Sequence, residues 1–340
     1  MRAVVYAEYG VEPRIEEVPQ PECPPDGAVI RVEATGVCRS DWHAWRGHDP
    51  VPLPMIPGHE FAGVVAEIGP DVRLFAVGDR VTAPFVNGCG ACEWCRNGQA
   101  HVCPNQTQPG FTHPGSFAES VVVRVADLNL VPLPDEIDAV TAASLGCRFA
   151  TAFRAIVQAR VGTGEEVAIF GCGGVGLSAI LIARAFGARV TAVDVSDTAL
   201  ARARELGASV TVQSATPIDE VIAATGGGAH VTIDALGSAA TADAAVRSLR
   251  RQGRHVQVGL MLGAAASAPL PWDRVIAWEL QVFGSHGMAA ADYPAMLRLI
   301  AEGALDPAQL VGATTDLAGA ASALVAMDGP TPAGIVVAQP

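Results

Sequence analysis

Short apolar runs fill the first third of the chain, and glycine and proline cut them apart. Residues 28–32, 61–68, 80–83 and 118–123 favour β-branched side chains, with Pro52, Pro54, Pro57 and Gly58 among the breaks. Runs of that length and type predict strands joined by long loops, the setting in which chemistry usually sits. The texture changes near residue 150. From Val161 onward, apolar stretches alternate with Ala-rich helical ones. Strands are expected at 166–170, 189–194, 208–213, 230–235, 255–259 and 280–284. Helices follow the first two, over about 174–186 and about 197–206, and lie between most of the others. Six strands in βαβ order predict an α/β fold with a doubly wound parallel sheet. Beyond Met288 the pattern loosens. Residues 293–300 and 317–327 look helical, and 334–338 form a last strand whose natural place is back on the first domain's sheet.

The chain of 340 residues is long enough for two cores. Half its residues are hydrophobic and 17% are charged, the reverse of a disordered composition. The net charge of −13 argues against nucleic acid or an anionic membrane as the main partner. All 22 basic residues are arginine. Without lysine there is no Schiff-base, Walker or kinase-type lysine chemistry. The charged start Met1-Arg2 to Glu8 does not read as a signal peptide. The uncharged stretches 167–183 and 255–272 are broken by glycine, and the second also by proline. A soluble, cytoplasmic protein is expected, in which clustered cysteines bind metal or act in catalysis.

Gly171-Cys172-Gly173-Gly174-Val175-Gly176 fits G-x-G-x-x-G between a predicted strand and a predicted helix, and Asp194 closes the next strand. The first glycine permits the tight turn, and the second lets backbone approach a pyrophosphate. The third lets helix pack on strand, and the helix N-terminus faces the phosphate charge. Asp194 would accept from the adenosine ribose and repel a 2′-phosphate, and Val195-Ser196 supply no arginine to hold one. NAD is expected over NADP. A tight turn without a ligand is the plainer alternative.

Cys89, Cys92, Cys95 and Cys103 follow the spacing C-x2-C-x2-C-x7-C. Four thiolates around one ion form the closed tetrahedron of structural Zn2+. Two disulfides are an alternative that the cytosol disfavours. An iron–sulfur cluster is another, against which the x7 spacing speaks. Cys38-Arg39-Ser40-Asp41-Trp42-His43 gathers a thiol, a hydroxyl, a carboxylate and an imidazole. Gly58-His59-Glu60 follows, and Cys147 lies at the start of the helix that leads into the second domain. Two cysteines and a histidine, with Glu60 or water as fourth group, match a catalytic zinc with an open position. Cys23 and Cys172 read as ordinary buried or turn thiols.

Over essentially its full length the chain resembles the zinc-dependent medium-chain alcohol dehydrogenases. The Gly58-His59-Glu60 element, the four-cysteine lobe and Gly171 to Gly176 occur in that family's order. The resemblance implies a co-chaperonin-like β-rich catalytic domain, residues 1–150 with a return over 288–340. A Rossmann NAD-binding domain would span 151–287. It implies that Cys38, His59 and Cys147 hold a catalytic zinc with Glu60 as a nearby or transient ligand, and that the four-cysteine lobe holds a second, structural zinc. Ser40 would bond the alcohol oxygen, His43 would relay its proton, and Asp41 would orient His59. Arg39 would contact the cofactor pyrophosphate, and Thr151 and Val175 would pack on the nicotinamide. Phe85 would line the substrate pocket, with Trp45 and His48 at its mouth. A homo-oligomer is implied, a tetramer or a dimer formed through the Rossmann sheet edges. Two departures stand out. Gly334-Ile335-Val336 lacks the family's common C-terminal arginine, and Ser196 to Ala199 has no lysine after the ribose acid. Arg39 would then carry more of the cofactor's charge. The rivals are a polyol or sugar dehydrogenase of the same superfamily, a zinc-free quinone reductase-like relative and a non-catalytic NAD-binding protein. The two cysteine sets with His59 weigh against the last two.

Overall fold

The structure is a computed structural model that describes residues 1–329 and 334–340. The chain divides into two units. One comprises Met1–Ala150, Gly287–Gly303 and Pro307–Pro340; the other comprises Thr151–His286 with Ala304–Asp306.

The first unit is built on a largely antiparallel sheet. Its strands run in the order Val311–Thr315, Ile335–Ala338, Ala28–Val37, Glu60–Ile68, Arg80–Thr82 and Val131–Pro132, and Ser120–Val123 also pairs with Ala28–Val37. The long central strand Ala28–Val37 is apolar at most positions and buried along most of its length, so it can carry neighbours on both edges. The last strand does return to this sheet. Val336, Val337 and Ala338 lie antiparallel to Val37, Gly36 and Thr35 and brace the end of the strand that delivers Cys38. Strand Val311–Thr315 and the hairpin of Arg2–Val5 with Arg14–Glu17 are additions to the sequence reading. Val311–Thr315 and Arg14–Glu17 are too polar to show an apolar run, whereas Ala3, Val4 and Val5 are buried in the core. A core of Tyr6, Trp45, Met55, Phe117, Leu317 and Leu324, among others, packs beneath the helices at residues 39–45 and 317–326.

The second unit holds the expected parallel sheet of six strands. Its order is Val210–Gln213, Arg189–Asp194, Glu166–Phe170, Ala229–Asp234, Leu249–Gln257 and Gln281–Gly284. The chain starts in the middle, walks to one edge and returns to the other, so the direction of travel reverses beside Glu166–Phe170. Doubly wound sheets bind ligands at that crevice. Strand Leu249–Gln257 begins six residues before the expected 255, because Leu249-Arg250-Arg251-Gln252-Gly253-Arg254 is polar and hides its pairing from hydrophobic pattern. Among the described residues no helix is long and apolar enough to cross a membrane.

Candidate metal centre and dinucleotide turn

The register of two strands brings the first two candidate ligands together. Gly36 opposes Glu60 across the pair formed by Ala28–Val37 and Glu60–Ile68, so Cys38 just beyond one strand lies near His59 just before the other. Cys38 is also the N-cap of helix Arg39–Trp45, and Asp41 at its third position accepts the Cys38 N–H through Oδ2 at 3.0 Å. Asp41 Oδ1 accepts from Gly58 N–H at 3.0 Å and from His59 Nδ1 at 2.8 Å. Asp41 and His59 are fully buried. A Cβ on Gly58, whose φ is +102°, would stand 2.5 Å from Phe117 Cδ1, so only glycine turns the chain into His59 here.

Cys147 arrives on a π-helical turn, Leu145–Phe149, inserted between helices Ala139–Ala143 and Ala150–Gln158. Such turns recur at functional sites. Cys147 thus lies at the start of the helix that leads into the second unit, and the extra residue of its π-helical turn has no signature in hydrophobic pattern. The two sulfurs and a nitrogen of His59 lie within 4.8 Å of one another. His59 Nδ1 donates to Asp41, which leaves Nε2 with the lone pair, and this buried atom has no hydrogen-bond partner. A buried ring nitrogen without a hydrogen-bond partner, between two thiols, fits a metal ion. The Cys147 thiol beside it outweighs burial and, with the positive charge of Arg148, holds the Cys38 sulfur well below its ordinary pKa. Burial disfavours a charged His59 ring, but Asp41 and the Cys38 sulfur together carry its pKa well above the usual value, so without an ion a proton is favoured at Nε2, the place an ion would take. The pocket is thus built to receive positive charge.

Glu60 is not among the gathered ligand atoms. Its Oε1 accepts from the N–H groups of Cys147 and Arg148, at 3.2 and 2.9 Å, and from Arg148 Nε at 3.2 Å. Its Oε2 is bonded by Arg148 Nη2. Glu60 therefore lies near the gathered ligands with its carboxylate engaged by Arg148 and two backbone N–H groups. Burial raises its pKa and the guanidinium opposes the rise. Arg148 escaped the sequence reading. The signal was there, a lone charge in the apolar stretch 139–153.

The four-cysteine lobe closes on itself. Sγ of Cys92 lies 3.4 Å from that of Cys95 and 3.7 Å from that of Cys103, and all four sulfurs fall within 4.8 Å. Bonds of about 2.3 Å in a tetrahedron place sulfurs about 3.8 Å apart. The observed separations are far beyond the roughly 2.05 Å of a disulfide. N–H groups of Cys89 and Asn105 donate to Cys103 Sγ at 3.4 and 3.3 Å, and that of Cys95 to Cys92 Sγ at 3.4 Å, as thiolates require.

Of the remaining candidates in this unit, Ser40 Oγ lies 3.8 Å from Cys38 Sγ. His43 and His48 approach with their Nδ1 atoms 3.3 Å apart, and both rings meet Trp42 edge-on. Arg39 stacks over Trp42 and donates to Met327 O at 2.5 Å. Phe85 and Phe111 meet the His59 ring edge-on, at 6.1 and 5.2 Å between centroids. Phe111, in a polar loop, was not foreseen. Trp45 at the mouth of a pocket is corrected. It is 2% exposed, its Nε1 donates to Val11 O at 2.7 Å, and it belongs to the core. Trp42, three residues earlier in the same helix, is only partly buried, and its Nε1 donates to Asp328.

In the second unit, Gly171 has φ +90° and ends strand Glu166–Phe170. A Cβ on Gly176 would stand 1.8 Å from Gly171 O, so helix Gly174–Ala185 can approach the strand only with glycine there. A Cβ on Gly173 would meet nothing within 4 Å, which leaves the turn's outer side open to a phosphate. Asp194 ends strand Arg189–Asp194, and its carboxylate accepts from Cys172 N–H at 2.7 Å and Ser196 N–H at 2.9 Å. Thr151 is buried in helix Ala150–Gln158, and Val175 lies in the first turn of Gly174–Ala185.

Residues 24–135 match the alcohol dehydrogenase GroES-like domain, and residues 174–302 match the zinc-binding dehydrogenase family. An alcohol dehydrogenase of Geobacillus stearothermophilus is 35% identical over 311 residues, 89% of this chain and 90% of that protein. The chain belongs to the zinc-binding alcohol dehydrogenase family. A sorbitol dehydrogenase of Halalkalibacterium halodurans is 31% identical over 319 residues, 92% of this chain and 91% of that one. Among solved structures, alcohol dehydrogenase TADH from Thermus sp. ATN1 superposes with a TM-score of 0.92 at 32% identity, over 100% of this chain and 99% of that chain. An NAD-dependent alcohol dehydrogenase superposes at 0.89, also at 32% identity, with both chains fully covered. The family's β-rich domain and nucleotide-binding fold are the two units described above.

Proposed function

We propose that the protein is a zinc-containing alcohol dehydrogenase that transfers hydride between an alcohol and NAD, giving an aldehyde or ketone and NADH. The orphaned Nε2 of His59 between the thiols of Cys38 and Cys147, beside a separate closed cage of four thiols, carries this reading. Cys38, His59 and Cys147 hold the catalytic zinc, and Cys89, Cys92, Cys95 and Cys103 hold the structural one. With three protein ligands, zinc has a position left for substrate and supplies the Lewis acidity that makes a hydroxyl group acidic near neutral pH.

The chain's own groups do the rest. Asp41 fixes the His59 ring through Nδ1 and keeps Nε2 as the ligating atom. Ser40 accepts the substrate hydroxyl proton and passes it to His43. Burial, with His48 and Arg39 nearby, lowers the pKa of His43, so its ring is neutral at pH 7 and able to take that proton. Phe85 shapes the apolar side of the pocket, and His48 stands at its outer end. Arg39 and the turn of Gly171, Gly173, Gly174 and Gly176 hold the cofactor's phosphates, while Asp194 takes the ribose and disfavours NADP. Thr151 and Val175 pack on the nicotinamide.

The test is an NADH-absorbance screen over primary, secondary and polyhydroxy alcohols, with NAD and NADP in parallel and zinc counted per chain. No turnover with any alcohol, or one zinc per chain, refutes the assignment. The sorbitol dehydrogenase relative favours a second reading, a polyol substrate. Polyol binders more often keep an acid among the metal ligands, and here Glu60 is held by Arg148, which favours simple alcohols. The same screen separates the two.

A homo-oligomer is part of this reading. Among the described residues strand Gln281–Gly284 is the outermost of its sheet, and Val282 within it and Trp272 and Ile276 in the helix preceding it in the chain are exposed. An unpaired edge flanked by apolar side chains suits a second copy of the chain. Sizing in solution tests it; a monomer refutes it. A cytoplasmic location agrees with free thiols as metal ligands.

A further inference from the structure

We propose that Arg148 is a positioning residue that holds the Glu60 carboxylate off the Cys38–His59–Cys147 metal position and so keeps one coordination position open to substrate. The inference rests on the metal reading above and adds a part that reading does not contain.

Glu60 directly follows one ligand, and its Oε1 is bonded to the amide of another, Cys147, at 3.2 Å. A free carboxylate at such a place is a competent zinc ligand. Two thiolates already neutralise a divalent ion. A third anion would leave the site with a net negative charge, weaken its Lewis acidity and fill the position that substrate needs. Arg148 removes that option. Its Nε and Nη2 fork both oxygens of Glu60, and its own N–H adds a third bond from the same residue, at 2.9 Å. Both side chains are nearly or fully buried, at 9% and 0% exposure, so the pair is not exchanged for water.

The surroundings are shaped to the pair. A Cβ on Gly36 would stand 2.8 Å from Glu60 Oε2 and 3.2 Å from Arg148 Nη2. One on Gly146 would stand 3.1 Å from Glu60 Cα. Tyr293, itself buried, donates to Gly146 O at 3.3 Å and braces the turn that carries both Cys147 and Arg148. A guanidinium suits the role because its planar fork fixes a carboxylate's orientation as well as its charge.

The experiment uses the full-length enzyme loaded with cobalt, whose visible absorption reports coordination, and imidazole as a probe of the open position. The wild type, Arg148→Met, Arg148→Met/Glu60→Gln and Arg148→Lys are compared. The four-thiol lobe is common to all and cancels in difference spectra. The Met variant is expected to lose the imidazole-induced spectral change and at least about tenfold in kcat/KM. The double variant should regain the imidazole response, because the anion that Arg148 restrains is gone. If the Met variant does not fold, as judged by melting and NADH binding, the Lys variant replaces it and should show a weakened response. An unchanged imidazole response in the single variant, or a double variant no better than the single one, overturns the proposal. Uptake of only one cobalt by the wild type would instead overturn the metal reading itself.

Discussion

Removing the Asp41 carboxylate should loosen the metal and the fold together. The side chain is fully buried and makes three bonds: His59 Nδ1 at 2.8 Å, Gly58 N–H at 3.0 Å and Cys38 N–H at 3.0 Å. In Asp41→Ala the two backbone donors lose their partner in a dry site. Each is expected to cost about 1–3 kcal/mol, hence about 2–6 kcal/mol together. That is a large part of the roughly 5–15 kcal/mol that holds an ordinary domain. The His59 ring also loses its anchor, and loss of such a partner typically lowers metal affinity ~10–100-fold, or ~1.4–2.7 kcal/mol. Asp41→Asn should fall between. Its remaining oxygen can still serve His59 and Gly58, while its amide group faces the Cys38 N–H. Zinc release to a chromogenic chelator, followed over time, reads the first effect; the melting temperature with excess zinc reads the second. The order expected for both is wild type, Asn, Ala. An Ala variant that releases its catalytic zinc no faster than wild type would show that Asp41 does not orient His59.

Other perturbations read separate parts of the molecule. Burial holds the His113 ring down to about 4, against about 6.5 in the unfolded chain. The unfolded chain therefore binds the extra proton first, and the neutral ring's contribution is complete above pH 6.5 and lost as pH falls toward 4. The gap corresponds to roughly 3 kcal/mol, so His113→Gln should flatten the stability–pH curve across that window; a parallel curve refutes it. Cys95→Ser opens the closed lobe and should cut zinc from two to one per chain and lower Tm, with NADH binding retained; two zinc ions after dialysis contradict the lobe as a metal cage. Gly176→Ala must displace helix Gly174–Ala185 from Gly171, and NADH fluorescence titration should show lost binding. Arg39→Ala should raise the KM for NAD sharply, because no C-terminal arginine stands at residues 334–336 to share the phosphate charge; an unchanged KM rejects that role.

The parts of the fold legible in the sequence are those set by local pattern. Strands 166–170 and 189–194 are mostly apolar and are buried on both faces apart from their ends, and their bounds are those the residues predict. The four-cysteine lobe is contained in fifteen residues, so spacing alone announces it. What stayed hidden depends on partners distant along the chain. Strand Val311–Thr315 is a polar edge that exists because Ile335–Ala338 lies beside it. Trp45 and Trp42 share one short helix, and nothing in their neighbours says which of them turns into the core. The answer comes from the Val11 carbonyl that receives the Trp45 indole and the Asp328 carboxylate that receives that of Trp42, at 2.8 Å.

The same distinction explains why the two cysteine sets differ in reach. The lobe's ligands come from one loop, and an ion there can be held whatever the rest of the chain does. Cys38, His59 and Cys147 come from a strand end, a strand start and an inserted helical turn. Their meeting depends on the register of Gly36 opposite Glu60 and on the bonds that tie the Cys147 turn to Glu60. Glu60 thus links two of the three ligands: it follows His59 along the chain, and its Oε1 accepts from the Cys147 N–H. A carboxylate that must stay for architecture yet must not reach the metal needs a fixed counter-charge. Of the arginines in the chain, Arg148 is carried by the same turn as the third ligand, so the ligand and the restraint arrive together when that turn folds.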